Sequence, residues 1–160
     1  MKTVWMKRSQ IPAAAAIDAC SFATPMTADD IIDLLHTQKD CVARVCLDPA
    51  GSVAAFLIYR LERTVLRVVR LAVGPAHRRE GYGRALVELV RSRLLASSKR
   101  RSIRATISEG DTHAALFLQA MGFRCDCIAG GIMMFVHQRS DSLGEPSGGA
   151  SLFDDSDLEG

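Results

Sequence analysis

One stretch constrains this chain more than any other. An apolar run, Val65–Val73, stops at Gly74-Pro75 and gives way to a polar loop carrying R-x-x-G-x-G at Arg78, Gly81 and Gly83. The loop passes into Arg84–Ala96, where Leu86, Leu89, Val90 and Leu94 recur at helical spacing. A strand that ends in glycines just before a helix aims free N–H groups and the positive helix end at one point, and lets a ligand approach the backbone closely. That point suits a phosphate, with Arg78, Arg79 and Arg84 supplying compensating charge. The stretch is not a nucleoside-triphosphate loop, because G-x-x-x-x-G-K-[ST] is absent. Nor is it a dinucleotide fingerprint, since Leu86 stands where the third glycine belongs.

The rest of the chain supplies the setting. Trp5 lies in a short apolar strand, and Pro12 opens an alanine-rich helix running to about Cys20. Thr27 caps a second helix to about His36, with Ile31, Leu34 and Leu35 on one face. Cys41–Leu47 and Val53–Leu61 flank the turn cluster Asp48–Ser52 as a hairpin, and Val65–Val73 extends it into a meander. After the glycine loop and its helix, Ile103, Ala105 and Ile107 alternate with Arg104 and Thr106 as a half-buried strand. Asp111 or Thr112 can cap a helix over Ala114–Met121, and Phe123–Ile128 and Ile132–His137 close the domain as a hairpin around Gly130-Gly131. The order β-α-α-β-β-β-α-β-α-β-β is that of an α/β domain with an antiparallel middle sheet and helical crossovers between its later strands.

The net charge of +2 is the sum of two unlike parts. Residues 1–139 hold 20 basic and 12 acidic residues, a balance of +8, whereas 140–160 hold six acids and no Lys or Arg, a balance of −6. We therefore expect a folded domain over 1–139 and an acidic segment over 140–160 whose Ser, Gly, Asp and Glu content predicts disorder. The five cysteines include no C-x-x-C, so most are expected in the core as small hydrophobes. The four histidines lack metal-ligand spacing, and no metal is expected. No apolar run is long enough to span a membrane and the amino-terminal residues form no signal-peptide core, so a cytoplasmic protein without membrane contact is expected.

The segment Leu71-Ala72-Val73-x-Pro75-x-x-Arg78-Arg79-x-Gly81-x-Gly83, with Ala114 and Gly122-Phe123 downstream, resembles the GNAT superfamily of acetyl-CoA-dependent N-acetyltransferases. Arg78, Gly81 and Gly83 match its [Q/R]-x-x-G-x-[G/A] signature. The likeness extends over about 4–137 and is greatest to the ribosomal-protein alanine N-acetyltransferase type. It implies a mixed, mostly antiparallel central sheet with helices on both faces, acetyl-CoA as cosubstrate and an amine acceptor such as a protein N-terminus. It further implies that Leu71, Ala72 and Val73 meet the pantetheine arm. Arg78, Arg79, Glu80, Gly81, Tyr82, Gly83 and Arg84 would hold the pyrophosphate, and Asp111 takes the place of a cofactor-contacting asparagine. A gap between the fourth and fifth strands would admit the thioester from one side and the amine from the other.

Two positions depart from that type. Its glutamate base and tyrosine acid align with Thr106 and Leu118, which cannot exchange protons in those roles. Glu109 and His113 are the nearby substitutes that could act through a water, although a loop glutamate and a first-turn histidine are more often solvated caps. Asp29, Asp30 and Asp33 can attract a cationic amine or simply favour a helix start. Two rival functions follow from the same residues. A catalytically silent acyl-CoA-binding module fits the missing acid and base, and a basic nucleic-acid-binding domain fits the arginines but lacks interleaved aromatics. A homodimer is compatible with everything above.

Overall fold

The computed structural model describes residues 1–140. The expectation for the acidic segment falls, beyond Ser140, outside these residues. The elements are β1 (Lys2–Trp5), α1 (Ile11–Ala19), α2 (Ala28–Thr37), β2 (Cys41–Leu47), β3 (Val53–Leu61), β4 (Val65–Val73), α3 (Tyr82–Ala96), β5 (Ser102–Ser108), α4 (Thr112–Ala120), β6 (Arg124–Ala129) and β7 (Ile132–Gln138). They build one seven-stranded sheet in the order β1-β2-β3-β4-β5-β7-β6. Only β4 and β5 run parallel; the other neighbours are antiparallel. The parallel pair is where α3 crosses over, since parallel neighbours need a long connection.

Period-two alternation along the strands divides the core into two layers. Ala43, Val45, Phe56, Ile58 and Ala72 face α1 and α2, packing on Ile11, Ala14, Ile17 and Ile31. Leu57, Tyr59, Leu66, Ile103, Ala105 and Phe135 face the other way, under Leu86, Val87, Val90 and Leu94 of α3 and Leu118 of α4. Helices thus cover both faces of a mixed, mostly antiparallel sheet, as expected.

Two details differ from the sequence reading. Helix α3 starts at Tyr82, two residues before Arg84, because Gly81 adopts a left-handed conformation (φ 89°) that turns the chain into the helix at once. Cysteine burial is narrower than expected: Cys46 is buried and Cys41 partly so, while Cys20, Cys125 and Cys127 are exposed. The last two lie on β6, an edge strand exposed along its length. Asp126 is an extra residue between them in the pairing with β7, and bulged edges of this kind resist further strand addition.

Candidate functional site

The pairing of β4 with β5 covers only Val65–Val68 against Ser102–Ala105. Beyond it, β4 stays on β3 as far as Val73 opposite Ala55, and β5 stays on β7 as far as Ser108 opposite Ile132. The two strands therefore part, and the cause lies in the register. Tyr59 faces Val68 but Ile58 faces Arg70, so Val69 is an extra residue that bends β4 where contact with β5 ends.

The register also says which backbone groups face the opening. Gly74 N–H donates to the Ala54 carbonyl at 2.7 Å, which makes Ala54 and Gly74 a hydrogen-bonded pair. Pairs alternate along an antiparallel ladder, so Ala72 turns its groups to Phe56 of β3 while Leu71 and Val73 turn theirs away, toward the gap left by β5. Ala72 itself is buried against the α1 side. The Val73 carbonyl accepts from Arg78 Nε at 3.2 Å, leaving the Leu71 groups and the Val73 N–H directed at the gap.

The loop after β4 is held from several sides. His77 Nε2 lies 3.1 Å from Asp48 Oδ2 in the β2–β3 turn, and its ring meets Tyr82 edge-on at 5.5 Å. The Ser52 N–H, with the His77 and Ala50 contacts, holds the Asp48 carboxyl below the usual range against the cost of desolvation. Tyr82 is 5% exposed and its burial raises its hydroxyl pKa, so this side chain packs under the loop. Arg78 reaches back to Ser21 Oγ at 3.4 Å, bracing the α1–α2 connection. Arg79, Glu80 and Arg84 are exposed. Arg79 has φ 65°, a strained value for a residue with a side chain, and stands two positions before left-handed Gly81.

No side chain caps α3 at Gly81, and its first intrahelical bond is Ala85 N–H to the Gly81 carbonyl. The N–H groups of Tyr82, Gly83 and Arg84 are therefore left over at a positive helix end. A side chain on Gly81 would meet only Met1 Cε at 3.7 Å, so the space before these groups is open. Gly83 serves another purpose: a Cβ there would stand 3.3 Å from Phe117, so glycine lets α4 close on α3. Together these features form an anion cradle at the mouth of a strand gap.

Asp111, expected at the cofactor, and the acceptor-side candidates are placed differently. Asp111 Oδ1 accepts from Ala114 N–H at 3.1 Å and caps α4. Glu109 and His113 are exposed, and among the described residues neither side chain makes a hydrogen bond; the Glu109 N–H donates to the Gly131 carbonyl. Thr106 is exposed and Leu118 buried. Asp30 forms a reciprocal capping pair with Thr27, which lowers its carboxyl pKa, while Asp29 and Asp33 are exposed.

Sequence reading missed one pair. Asp18, fully buried in α1, accepts from Met26 N–H at 2.6 Å and lies 3.5 Å from Arg70 Nε. Arg70 also donates to the Thr24 carbonyl and stacks over Phe22. The pair anchors the α1–α2 connection beside the gap. Its one sequence sign is an acid inside an otherwise apolar helix.

Among the described residues no cluster of His, Cys, Asp or Glu is suited to hold a metal, and no helix is long and apolar enough to cross a membrane. Residues 13–123 match the sequence profile of the acetyltransferase (GNAT) family. No curated protein matches the chain by sequence. Among solved structures, the fold is similar to the ribosomal-protein-S18-alanine N-acetyltransferase of Escherichia coli, with TM-score 0.73, 17% identity and coverage of 89% of this chain and 98% of that one. It is also similar to Ard1 of Thermoplasma volcanium, with TM-score 0.73, 21% identity and coverage of 88% and 98%. Arabidopsis thaliana NAA60 in complex with acetyl-CoA gives TM-score 0.70 at 13% identity, with coverage of 86% and 97%.

Proposed function

The chain belongs to the GNAT family of N-acetyltransferases, which use acetyl-CoA as cosubstrate, and we propose that it acetylates α-amines, such as a protein N-terminus, in preference to lysine side chains. The observation that carries the donor half is the uncapped start of α3 at the mouth of the β4–β5 gap. The Tyr82, Gly83 and Arg84 N–H groups, with Arg79 and Arg84 alongside, fit a diphosphate in number, charge and open space. Leu71 and Val73 offer the edge of β4 to an amide-bearing arm, much as a missing strand would be met. When bound, acetyl-CoA supplies an acetyl thioester. The Val73 N–H, turned toward the gap, would be the chain's own donor to the thioester carbonyl oxygen and would stabilise negative charge developing there.

The acceptor half rests on what is missing. An attacking amine must be neutral, and Thr106 and buried Leu118 offer no base or acid beside the gap. A lysine ammonium holds its proton about 2.5 pKa units longer than an α-amine, a handicap of roughly 3.4 kcal/mol without a base. An α-amine is already neutral in useful fraction near neutrality, so the chain needs only to orient it and let water take the proton. Glu109 and His113 stand at the rim as relays to that water.

Steady-state rates on matched peptides, one with a free N-terminus and one with only a lysine amine, test the proposal. The free N-terminus should give a kcat/KM higher by at least about 10-fold at neutral pH, and a lysine preference overturns it. Saturable acetyl-CoA binding without product on either peptide would favour an acyl-CoA-binding module, the reading that exposed Thr106 and buried Leu118 also support.

A further inference from the structure

A second concavity lies on the α3 face at the far end of the sheet, where β4 begins at Val65 rather than where it ends at the gap. It encloses about 440 Å³. Val42 and Leu61, partly exposed over buried Tyr59 and Leu66, form its apolar floor, Trp5 stands on one wall, and Arg93, Lys99 and Arg100 rim the other. No acidic residue lines it. Arg100 donates to the Glu62 carbonyl at 2.7 Å, but among the described residues neither Arg93 nor Lys99 has a carboxylate partner. Beside Trp5, Arg44 is 8% exposed, its guanidinium 4.5 Å from the indole ring and its Nε buried without a partner. An apolar floor beneath uncompensated cations calls for an occupant that is both acidic and apolar.

The chain carries such an occupant at the right place. Gln138 pairs with Ser102, Arg139 N–H donates to the Arg101 carbonyl at 2.7 Å, and the Arg139 guanidinium donates to the Leu94 and Ser97 carbonyls. Ser97 lines the groove, so the chain leaves Ser140 beside its rim. Residues 141–160 contain six acids, no Lys or Arg, and the apolar residues Leu143, Leu152, Phe153 and Leu158. Twenty residues reach about 66 Å when extended, well over the roughly 14 Å radius of gyration of a domain this size. We propose that residues 141–160 dock into this groove, with Leu152 and Phe153 on the floor and Asp154 and Asp155 against Arg93 and Lys99. Docking covers the apolar cationic patch and leaves the strand gap free.

Trp5 is the only tryptophan and is 59% exposed in the described residues, so it reports on the groove directly. Acrylamide quenching of Trp5 is compared between the full chain and a full chain carrying Leu152→Ser and Phe153→Ser. The native chain should be quenched at least about twofold less, and 1 M salt or Lys99→Glu should raise its quenching toward that of the variant. Acetyl-CoA affinity should be the same in all of them. Equal quenching in the native chain and the Leu152→Ser/Phe153→Ser variant overturns the proposal. So does protection that appears only as protein concentration rises, which would make a second copy the occupant.

Discussion

Helix α3 follows β4 and helix α4 follows β5, so both begin at the rim of one strand gap, yet they meet the electrostatics of a helix start in opposite ways. Helix α4 brings its own anion: the Asp111 carboxylate takes the Ala114 N–H. Helix α3 brings none, because Gly81 has no side chain to offer. The first arrangement is complete within the chain and adds stability; the second leaves three N–H groups for an external anion. A binding function is thus marked less by the residues present than by a cap that is missing where the fold has room for a ligand.

The largest test of this contrast supplies α3 with an anion of its own. Because any side chain at left-handed Gly81 is strained, Gly81→Glu is read against Gly81→Gln, and the charged variant should bind acetyl-CoA at least about 100-fold more weakly than the neutral one by calorimetry, roughly 2.7 kcal/mol. Unchanged affinity would mean the donor sits elsewhere. The converse change at α4, Asp111→Ala, should cost about 1 kcal/mol in denaturant unfolding through the lost cap, while acetyl-CoA affinity moves by no more than about threefold. A large loss of affinity there would make Asp111 a donor contact and erase the contrast. Arg79→Gly relieves a left-handed residue and removes one exposed cation beside the cradle. Stability should rise by up to about 1 kcal/mol while acetyl-CoA binds about threefold more weakly.

The smallest effect concerns acid stability. Asp30 and Asp48 both accept N–H bonds that lower their carboxyl pKa values in the folded chain. A carboxyl depressed by folding stabilises above its unfolded pKa and loses that contribution as pH falls through the folded value. The thermal midpoint should therefore drop below about pH 4, and the Asp30→Asn/Asp48→Asn variant should show a shallower drop.

The order of elements was legible because apolar spacing switches cleanly between two and 3.6 along the chain, and the uncapped glycine loop before α3 because glycine spacing at a strand-to-helix junction is a local feature. What escaped depends on partners distant in sequence. Nothing in Val68-Val69-Arg70 announces the extra residue that opens the gap; it appears only against Ile58 and Tyr59. The outward turn of the Leu71 and Val73 backbone groups came from family likeness and is a matter of register with β3. The Asp18–Arg70 pair joins α1 to β4 and leaves only an unexpected acid in an alanine-rich helix. Cysteine as a small hydrophobe points to the core, whereas Cys125 and Cys127 lie exposed on β6 at the sheet edge, a place set by strand order and not by residue type.

The most direct measurement is a coenzyme A titration followed by backbone amide NMR. The account predicts that the Tyr82, Gly83 and Arg84 N–H signals move most, with Leu71 and Val73 next and the α4 cap at Ala114 nearly still. Saturation that leaves the first turn of α3 unmoved while signals shift elsewhere would contradict it.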